Sequence, residues 1–283
     1  MRRHLADQGH RVLALTRTPG RPDSIQWQPE QGRLDLAGSE NLEAVIHLAG
    51  EPIACRWTES KKILIRDSRV QGTRLLSQAL TRLPQRPRVL ISASATGYYG
   101  DRPGETLTEA SPPGRGFLAG VAQVWENAAE PARVHGIRVV HPRIGIVLSP
   151  QGGALAKMLP VFRRGLGGRF GSGRQVWSWI ALEDLIRGLA FLLENDAVSG
   201  PVNMVAPEPV TNQDFTSALA RALDRPAWLP VPGWAARLAL GEMARETLLA
   251  GARVLPETLL RQGFTFQHPT LEPALRHLLD GQS

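Results

Sequence analysis

Cysteine is almost absent. Cys55 stands alone in 283 residues, so neither an internal disulfide nor a cysteine-rich zinc site can form within one chain, and an inert, partly buried thiol is preferred here over cysteine chemistry. No stretch approaches the ~20 uninterrupted apolar residues a membrane helix needs, and Met1 to Arg11 carry charges where a signal peptide has an apolar run. A cytoplasmic protein with no membrane partner is expected. Lysine is scarce as well: among 33 basic residues only Lys61, Lys62 and Lys157 are not arginine, and the net charge of +7 is scattered rather than gathered into a tail or stripe. Nucleic acid is therefore not expected as a partner. Arginine's planar fork suits phosphates and carboxylates held bidentately, and a small-molecule substrate is the expected partner.

What the chain does contain is 42% hydrophobic residues, enough for a large domain with a smaller one attached. Short β-branched runs at Val12–Leu15, Ala44–Ala49, Val89–Ala93 and Ile137–Val140 read as buried parallel strands. Helical patterns at Glu59–Leu83 and Phe117–His135 separate them. This rhythm predicts a doubly wound parallel sheet with ligands at the carboxyl ends of its strands. Further helices are expected at Glu183–Glu194 and Asn212–Ala222, with a strand at Val202–Val205 between them. From Arg225 the chain becomes rich in proline and tryptophan, which places a boundary between residues 1–224 and a small helical unit over 225–283, with helical pieces at Trp234–Ala250, Pro256–Gln262 and Leu271–Leu279.

The front is missing a feature that such a sheet ordinarily has: a strand, a glycine-rich turn and a helix whose amino end holds a pyrophosphate. The chain opens instead on His4–His10, which reads as the last turns of that helix with Gly9 as its stop, followed at once by the next strand. A central strand would thus be absent and two apolar edges left unpaired. Of the two readings, an incomplete amino terminus and a loss of dinucleotide binding, the first is expected. Weak or no cofactor binding and poor solubility follow for the 283 residues by themselves.

The series Leu15-Thr16-Arg17-Thr18-Pro19, His47-Leu48-Ala49-Gly50-Glu51-Pro52-Ile53, Arg66-Asp67-Ser68-Arg69, Ser92 to Gly100 and Ser178-Trp179-Ile180 resembles an atypical branch of the extended short-chain dehydrogenase/reductases. That branch is the YfcH-like NAD-dependent epimerase/dehydratase family, with a small carboxyl-terminal domain of its own. The resemblance spans Leu5 to about Leu278, and it implies a Rossmann-like fold and NADP(H). Arg17 follows the second strand of that fold, where an acidic residue would take the ribose hydroxyl of NAD and an arginine suits the 2′-phosphate of NADP; a solvated turn arginine is the alternative. Leu48, Ala49 and Gly50 end a strand at the cofactor edge. Lys62, Arg66, Arg69 and Thr73 share one helix face, either solvated or with Arg69 pointing into the cleft. Ser92 and Arg143 complete the expected cofactor contacts.

Extended relatives work with a serine after a central strand and a Tyr-x-x-x-Lys pair on the next helix, the lysine lowering the pKa of a phenol that exchanges a proton with substrate. Ser94 matches the serine, with Ser92 as fallback and turn-capping as the other reading of either. The pair is absent: its places hold Phe117 and Val121, although Glu126 keeps the position of a glutamate common later on that helix. Tyr98, four residues before Arg102 but in a loop, is the candidate substitute, with Tyr99, Glu51 and Glu109 behind it. On the substrate side Arg174, Trp177 and Trp179 are expected to border a cleft, with Arg143, for a flat or apolar anion. Asp184 is expected to anchor a loop or cap a helix. Two classes follow: an NADP(H)-dependent oxidoreductase or epimerase-like enzyme, and a non-catalytic dinucleotide sensor or scaffold. A homodimer is conceivable by analogy.

Overall fold

The computed structural model describes residues 1–17, 23–36, 39 and 41–280; Thr18 and Pro19 of the first motif lie outside them. The chain opens with α1 (Arg2–Asp7), then β1 (Ala14–Thr16), β2 (Ser24–Gln28), β3 (Arg33–Leu34) and β4 (Ala44–His47), followed by α2 (Glu59–Thr81). Next come β5 (Val89–Ser92), β6 (Ser94–Ala95), a short 3-10 turn at Thr96–Tyr99, β7 (Arg102–Leu107), α3 (Phe117–Asn127) and α4 (Glu130–Val134). β8 (Arg138–Ile144), β9 (Ile146–Ser149), α5 (Gly153–Arg163), β10 (Val176–Trp177), β11 (Trp179–Ala181), α6 (Leu182–Glu194) and β12 (Gly200–Met204) complete the sheet region. The remainder is β13 (Val210–Thr211), α7 (Asn212–Ala222), α8 (Gly233–Leu240), a π-turn at Ala244–Leu248, β14 (Ala252–Val254), α9 (Glu257–Arg261) and α10 (Leu271–Leu279).

The main sheet runs β12-β8-β5-β4, all parallel, with β6 extending the ladder on β8. Every residue of β5 is buried, and the side-chain alternation of a strand assigns its two faces. Leu90 packs with Leu76 and Leu80 of α2 and Ala132 of α4. Val89 and Ile91 point the other way, onto Leu185, Leu189 and Leu192 of α6. Helices therefore cover both faces, the doubly wound arrangement expected.

β1, β2 and β3 form a separate small sheet. Among the described residues β1 has a ladder partner only in β2, and β4 only in β5, so the two sheets are not joined by hydrogen bonds. Met1 and Leu5 pack against the cluster that holds Ala44 and Ile46. The helix expected over Phe117–His135 is two helices, because Pro131 in the first turn of α4 has no N–H and its ring crowds the carbonyl four residues back. α7 and α10 have the expected bounds, and α10 packs on α7 in a core that also holds Phe162, Trp177 and Trp179. Leu259 and Phe264 join the core beneath the sheet, and β14 pairs with β7, so the carboxyl-terminal residues share apolar packing with the sheet. No helix among the described residues is long and apolar enough to cross a membrane.

Candidate active site

Strand register brings three polar residues abreast. Ser94 on β6 pairs with Arg143 on β8, and Arg143 pairs with Asn203 on β12. All three are buried, at 2%, 3% and 0% exposure. Glu126 comes down from the last turn of α3 and joins them: Ser94 Oγ donates to its Oε1 at 2.6 Å, and Arg143 grips both carboxylate oxygens from Nε and Nη2 at 2.9 Å each. Burial alone would weaken the guanidinium's hold on its proton, but the hydrogen bonds and charge of Glu126 outweigh it and raise the Arg143 pKa. With three donors on its two oxygens, Glu126 orients Ser94 and Arg143 against each other.

The two tyrosines of the 3-10 turn have different fates. Tyr99 is fully buried; its hydroxyl accepts from Arg143 Nη1 at 3.0 Å and lies 2.7 Å from Asn203 Oδ1 and 3.0 Å from the Thr108 carbonyl. Burial raises its pKa, against the lowering influence of Arg143. Tyr98 is half-buried and lays its ring beneath the Arg143 guanidinium, 3.4 Å from centroid to Cζ, a cation–π contact. Among the described residues the Tyr98 hydroxyl makes no hydrogen bond with another side chain or with the backbone. The turn is fixed by close backbone approach: a Cβ on Gly114 would stand 1.9 Å from the Tyr99 carbonyl oxygen.

A chain of contacts links this cluster to the strand end at β4. Leu48, Ala49 and Gly50 are exposed there. Arg69 of α2 donates from Nη1 to the Glu51 and Ile65 carbonyls at 3.0 Å each, and its Cζ stands 3.0 Å from where a Gly50 Cβ would be, so Gly50 makes room for Arg69. The guanidinium then stacks 5.0 Å from Trp125, the neighbour of Glu126, and burial lowers its pKa. Glu51 is paired with Lys61, whose hydrogen bond lowers the carboxyl's pKa; Arg17 adds to that lowering from a distance. Arg17 itself is exposed, 3.6 Å from Glu30. Ser92 is fully buried with its hydroxyl unpartnered, its carbonyl 3.3 Å from His141 Nδ1.

Arg174, Trp177 and Trp179, the residues expected on the substrate side, lie apart from this cluster. Trp179 is wholly buried with its indole N–H on the Glu208 carbonyl, and Trp177 is packed between Phe170 and Phe215. Neither tryptophan has a face free for a ligand, which corrects the expected tryptophan-bordered cleft: apolar burial in the α5–α7–α10 core claimed both rings. Arg174 is exposed in the preceding loop and does not join the cluster. Phe117 packs on Trp57 with Lys62 5.1 Å from its ring centroid, and Val121 is buried. Glu109 ties its turn to β12 and α9: its Oε1 accepts from the backbone N–H groups of Asn203 and Thr258 at 3.0 and 3.2 Å. Asp184 anchors a loop, accepting from the backbone of Gln267 and His268 at 2.8 Å each.

Sequence reasoning had used Glu126 only as an alignment marker and passed over Asn203. A polar residue inside the apolar run Val202–Val205 was the available signal for Asn203. It also missed Glu246, 10% exposed, whose carboxylate accepts from the Phe117 and Leu118 N–H groups at 2.9 Å each and so caps α3 from a distant segment.

The parallel sheet, its two helical layers and a polar cluster at the carboxyl ends of its strands define a Rossmann-like α/β protein. A family model described as the NAD dependent epimerase/dehydratase family matches residues 1–205, and the chain belongs to that family. A second, described as a domain of unknown function (DUF1731), matches residues 231–278. Epimerase family protein Mb2239 of Mycobacterium bovis is 45% identical over 94% of this chain and 88% of its own length. Epimerase family protein YfhF of Bacillus subtilis is 37% identical over 97% and 92%. Among solved structures, the human epimerase family protein SDR39U1 (isoform 2), crystallised with NADPH, has a TM-score of 0.89 at 33% identity and covers 99% of this chain and 94% of its own.

Proposed function

We propose that the protein is an NADP(H)-binding oxidoreductase of the epimerase-like type, acting on a small substrate beside Ser94. The observation that supports this is the succession from the exposed β4 end to the buried serine: Gly50 makes room for Arg69, Arg69 stacks on Trp125, and the next residue along α3, Glu126, holds Ser94. The residues fit the adenosine end of the dinucleotide, and the nicotinamide end would lie beside Ser94. Arg17, exposed beyond β1, suits the 2′-phosphate; Leu48–Gly50 offer open backbone to the adenosine, with Arg69 behind them. For the pyrophosphate between, no residue is assigned: among the described residues β1 runs on to β2 and β4 into the loop before α2, neither through a glycine-rich turn into a helix. When bound, the nicotinamide supplies hydride transfer.

The chain's own residues supply the rest. Because the Ser94 hydroxyl proton is directed to Glu126, its lone pairs are left to accept from a substrate hydroxyl. Arg143 and Glu126 hold that geometry. Tyr98, the one phenol with its hydroxyl uncommitted, is the acid/base candidate in place of the absent pair. Residues 1–224 would form this nucleotide-binding unit and 225–283 the helical unit packed on it.

A second reading, a dinucleotide sensor without turnover, is favoured by Phe117 and Val121, which fill the tyrosine and lysine places with packed apolar groups. Fluorescence titration with NADPH and NADH, followed by a carbonyl panel scored by NADPH oxidation, separates the readings. The enzyme reading expects preference for NADPH, an approximately tenfold or larger loss of that affinity in Arg17→Ala, and turnover abolished in Tyr98→Phe with binding retained. Binding without turnover on every carbonyl tested favours the sensor. Preference for NADH, or an Arg17→Ala variant with unchanged NADPH affinity, refutes the assignment of Arg17.

A further inference from the structure

Away from the polar cluster, three side chains from three different elements converge. Glu183 lies in the first turn of α6, His268 in the loop before α10, and His277 on α10. One donor atom from each can be chosen so that all lie within 4.8 Å of one another. His268 Nε2 is 3.6 Å from Glu183 Oε2, and His277 Nε2 is 3.8 Å from Glu183 Oε1. The imidazole rings stand 4.6 Å apart between centroids. We propose that Glu183, His268 and His277 form a binding site for a divalent transition metal of the zinc class, bridging α6 to the carboxyl-terminal segment.

Four observations carry this. The donor set is two imidazoles and one carboxylate, a combination that suits zinc and its neighbours and not calcium or magnesium, which take oxygen ligands. The spacing is within reach: zinc at roughly 2.0–2.1 Å from each donor in a tetrahedron puts the donors about 3.3–3.4 Å apart, against 3.6 Å from His268 to Glu183 Oε2, 3.8 Å from His277 to Glu183 Oε1 and no more than 4.8 Å between any two of the chosen donors, so side-chain rotations that close about 1.5 Å or less bring the three together. Glu183 Oε2 is shut off from solvent and accepts no hydrogen bond, an orphaned acceptor facing the His268 ring nitrogen. Finally, the loop that presents His268 is held in advance. Asp184, fully buried and next to Glu183 in sequence, accepts from the N–H groups of Gln267 and His268 at 2.8 Å and from Arg187 at 3.0 Å. Asp184 is thus a positioning residue that limits the loop motion needed to bring the second ligand in.

His277 is 59% and Glu183 45% exposed at the side chain while His268 is 12% exposed, so one side of the cluster is open and a water can complete the tetrahedron. Glu183 belongs to the region matched by the epimerase model and both histidines to the region matched by the domain of unknown function. The metal would therefore act as a clamp between the two, added to the apolar contacts of Leu259 and Phe264 beneath the sheet. This site is independent of the nucleotide reading, since none of its elements contributes to the Ser94–Glu126–Arg143 cluster.

The test uses the full chain freed of metal with a chelator and titrated with zinc chloride by calorimetry, in parallel with thermal melts. One equivalent taken up at micromolar or lower Kd is expected, with Tm raised by roughly 5 °C at a hundredfold excess over Kd. His277→Ala and Glu183→Gln, both on exposed side chains, are expected to weaken uptake by at least tenfold and remove the Tm rise. His135→Ala, an exposed histidine outside the cluster, leaves both unchanged. Cobalt(II) gives a second readout, a visible absorption of tetrahedral intensity that His268→Ala abolishes. No uptake at micromolar zinc, or uptake and Tm shift unaltered in both His277→Ala and Glu183→Gln, overturns the proposal. So does a loss of stability in those variants with the zinc response intact, which would make the cluster an ion pair only.

Discussion

Replacing Glu126 by glutamine should damage the fold more than any other change of one side-chain atom in the site. The amide keeps the shape of the carboxylate but not its charge, and only one of its two terminal atoms can accept. Arg143 would keep the bond to Tyr99, the 3.5 Å approach to the Glu109 carbonyl and the face of Tyr98, while losing a bidentate partner at 2.9 Å on both arms. With the guanidinium 3% exposed, water cannot replace that partner. Removing one member of a buried pair typically costs about 3–5 kcal/mol because the other charge is stranded; the contacts that Arg143 retains place Glu126→Gln near the lower end, at about 3 kcal/mol. That is a large share of the ~5–15 kcal/mol by which a folded chain is stable. Urea unfolding followed by tryptophan fluorescence measures it, together with Arg143→Met and the double variant. Because the loss in each single variant is mostly the stranded partner, the double variant should lose less than the two singles added together, by at least about 1.5 kcal/mol. Ser94→Ala, which removes only the hydroxyl donor at 2.6 Å, should lose about 1–2 kcal/mol. A Glu126→Gln loss below about 1 kcal/mol, or strict additivity in the double variant, would refute the buried ion pair as the organiser of this site.

Burial lowers the His47 pKa from 6.5 to about 4, so below pH 6.5 the unfolded chain binds the proton that the folded chain refuses, and stability falls as the pH drops toward 4. The ceiling is about 3 kcal/mol; His47→Leu should flatten the stability curve across that window, and an unchanged slope counts against the assignment. Gly114→Ala drives a methyl to within 1.9 Å of the Tyr99 carbonyl oxygen and should leave little folded protein by circular dichroism, whereas Gly120→Ala, in the interior of α3 with nothing within 4 Å, should stabilise by about 0.5–1 kcal/mol in urea. Glu246→Ala removes the cap on α3 and should lower unfolding free energy by about 1–2 kcal/mol; a Glu246→Gln loss as large as that of Glu246→Ala would mean that the charge and the second acceptor, not the side chain's shape, carry the cap, and no loss in Glu246→Ala would refute it.

Much of the scaffold was written locally. The strands at Ala44, Val89 and Arg138 and the bounds of α7 and α10 follow from β-branched runs and from an apolar period that each segment carries by itself. The site was legible only in outline. Ser94 and Arg143 were marked as site residues from the sequence, but that they pair through Glu126 was not, since the partners lie 32 and 17 residues away on another element. The same polar atoms in a different register would have met other neighbours.

Read locally, the chain already marks the strands at Ala44, Val89 and Arg138, the long helix that starts at Glu59, and the alternation of strand and helix that makes a doubly wound sheet. Tertiary structure alone decided that Trp177 and Trp179 fill a core, that Glu246 caps α3 from a distant turn, and that Asp184 brings His268 to Glu183. The physical reason is range. Backbone preference and hydrophobic period act over a few residues, whereas an ion pair, a cap from afar or a set of convergent donors exists only once packing has fixed the distance between elements far apart in the chain.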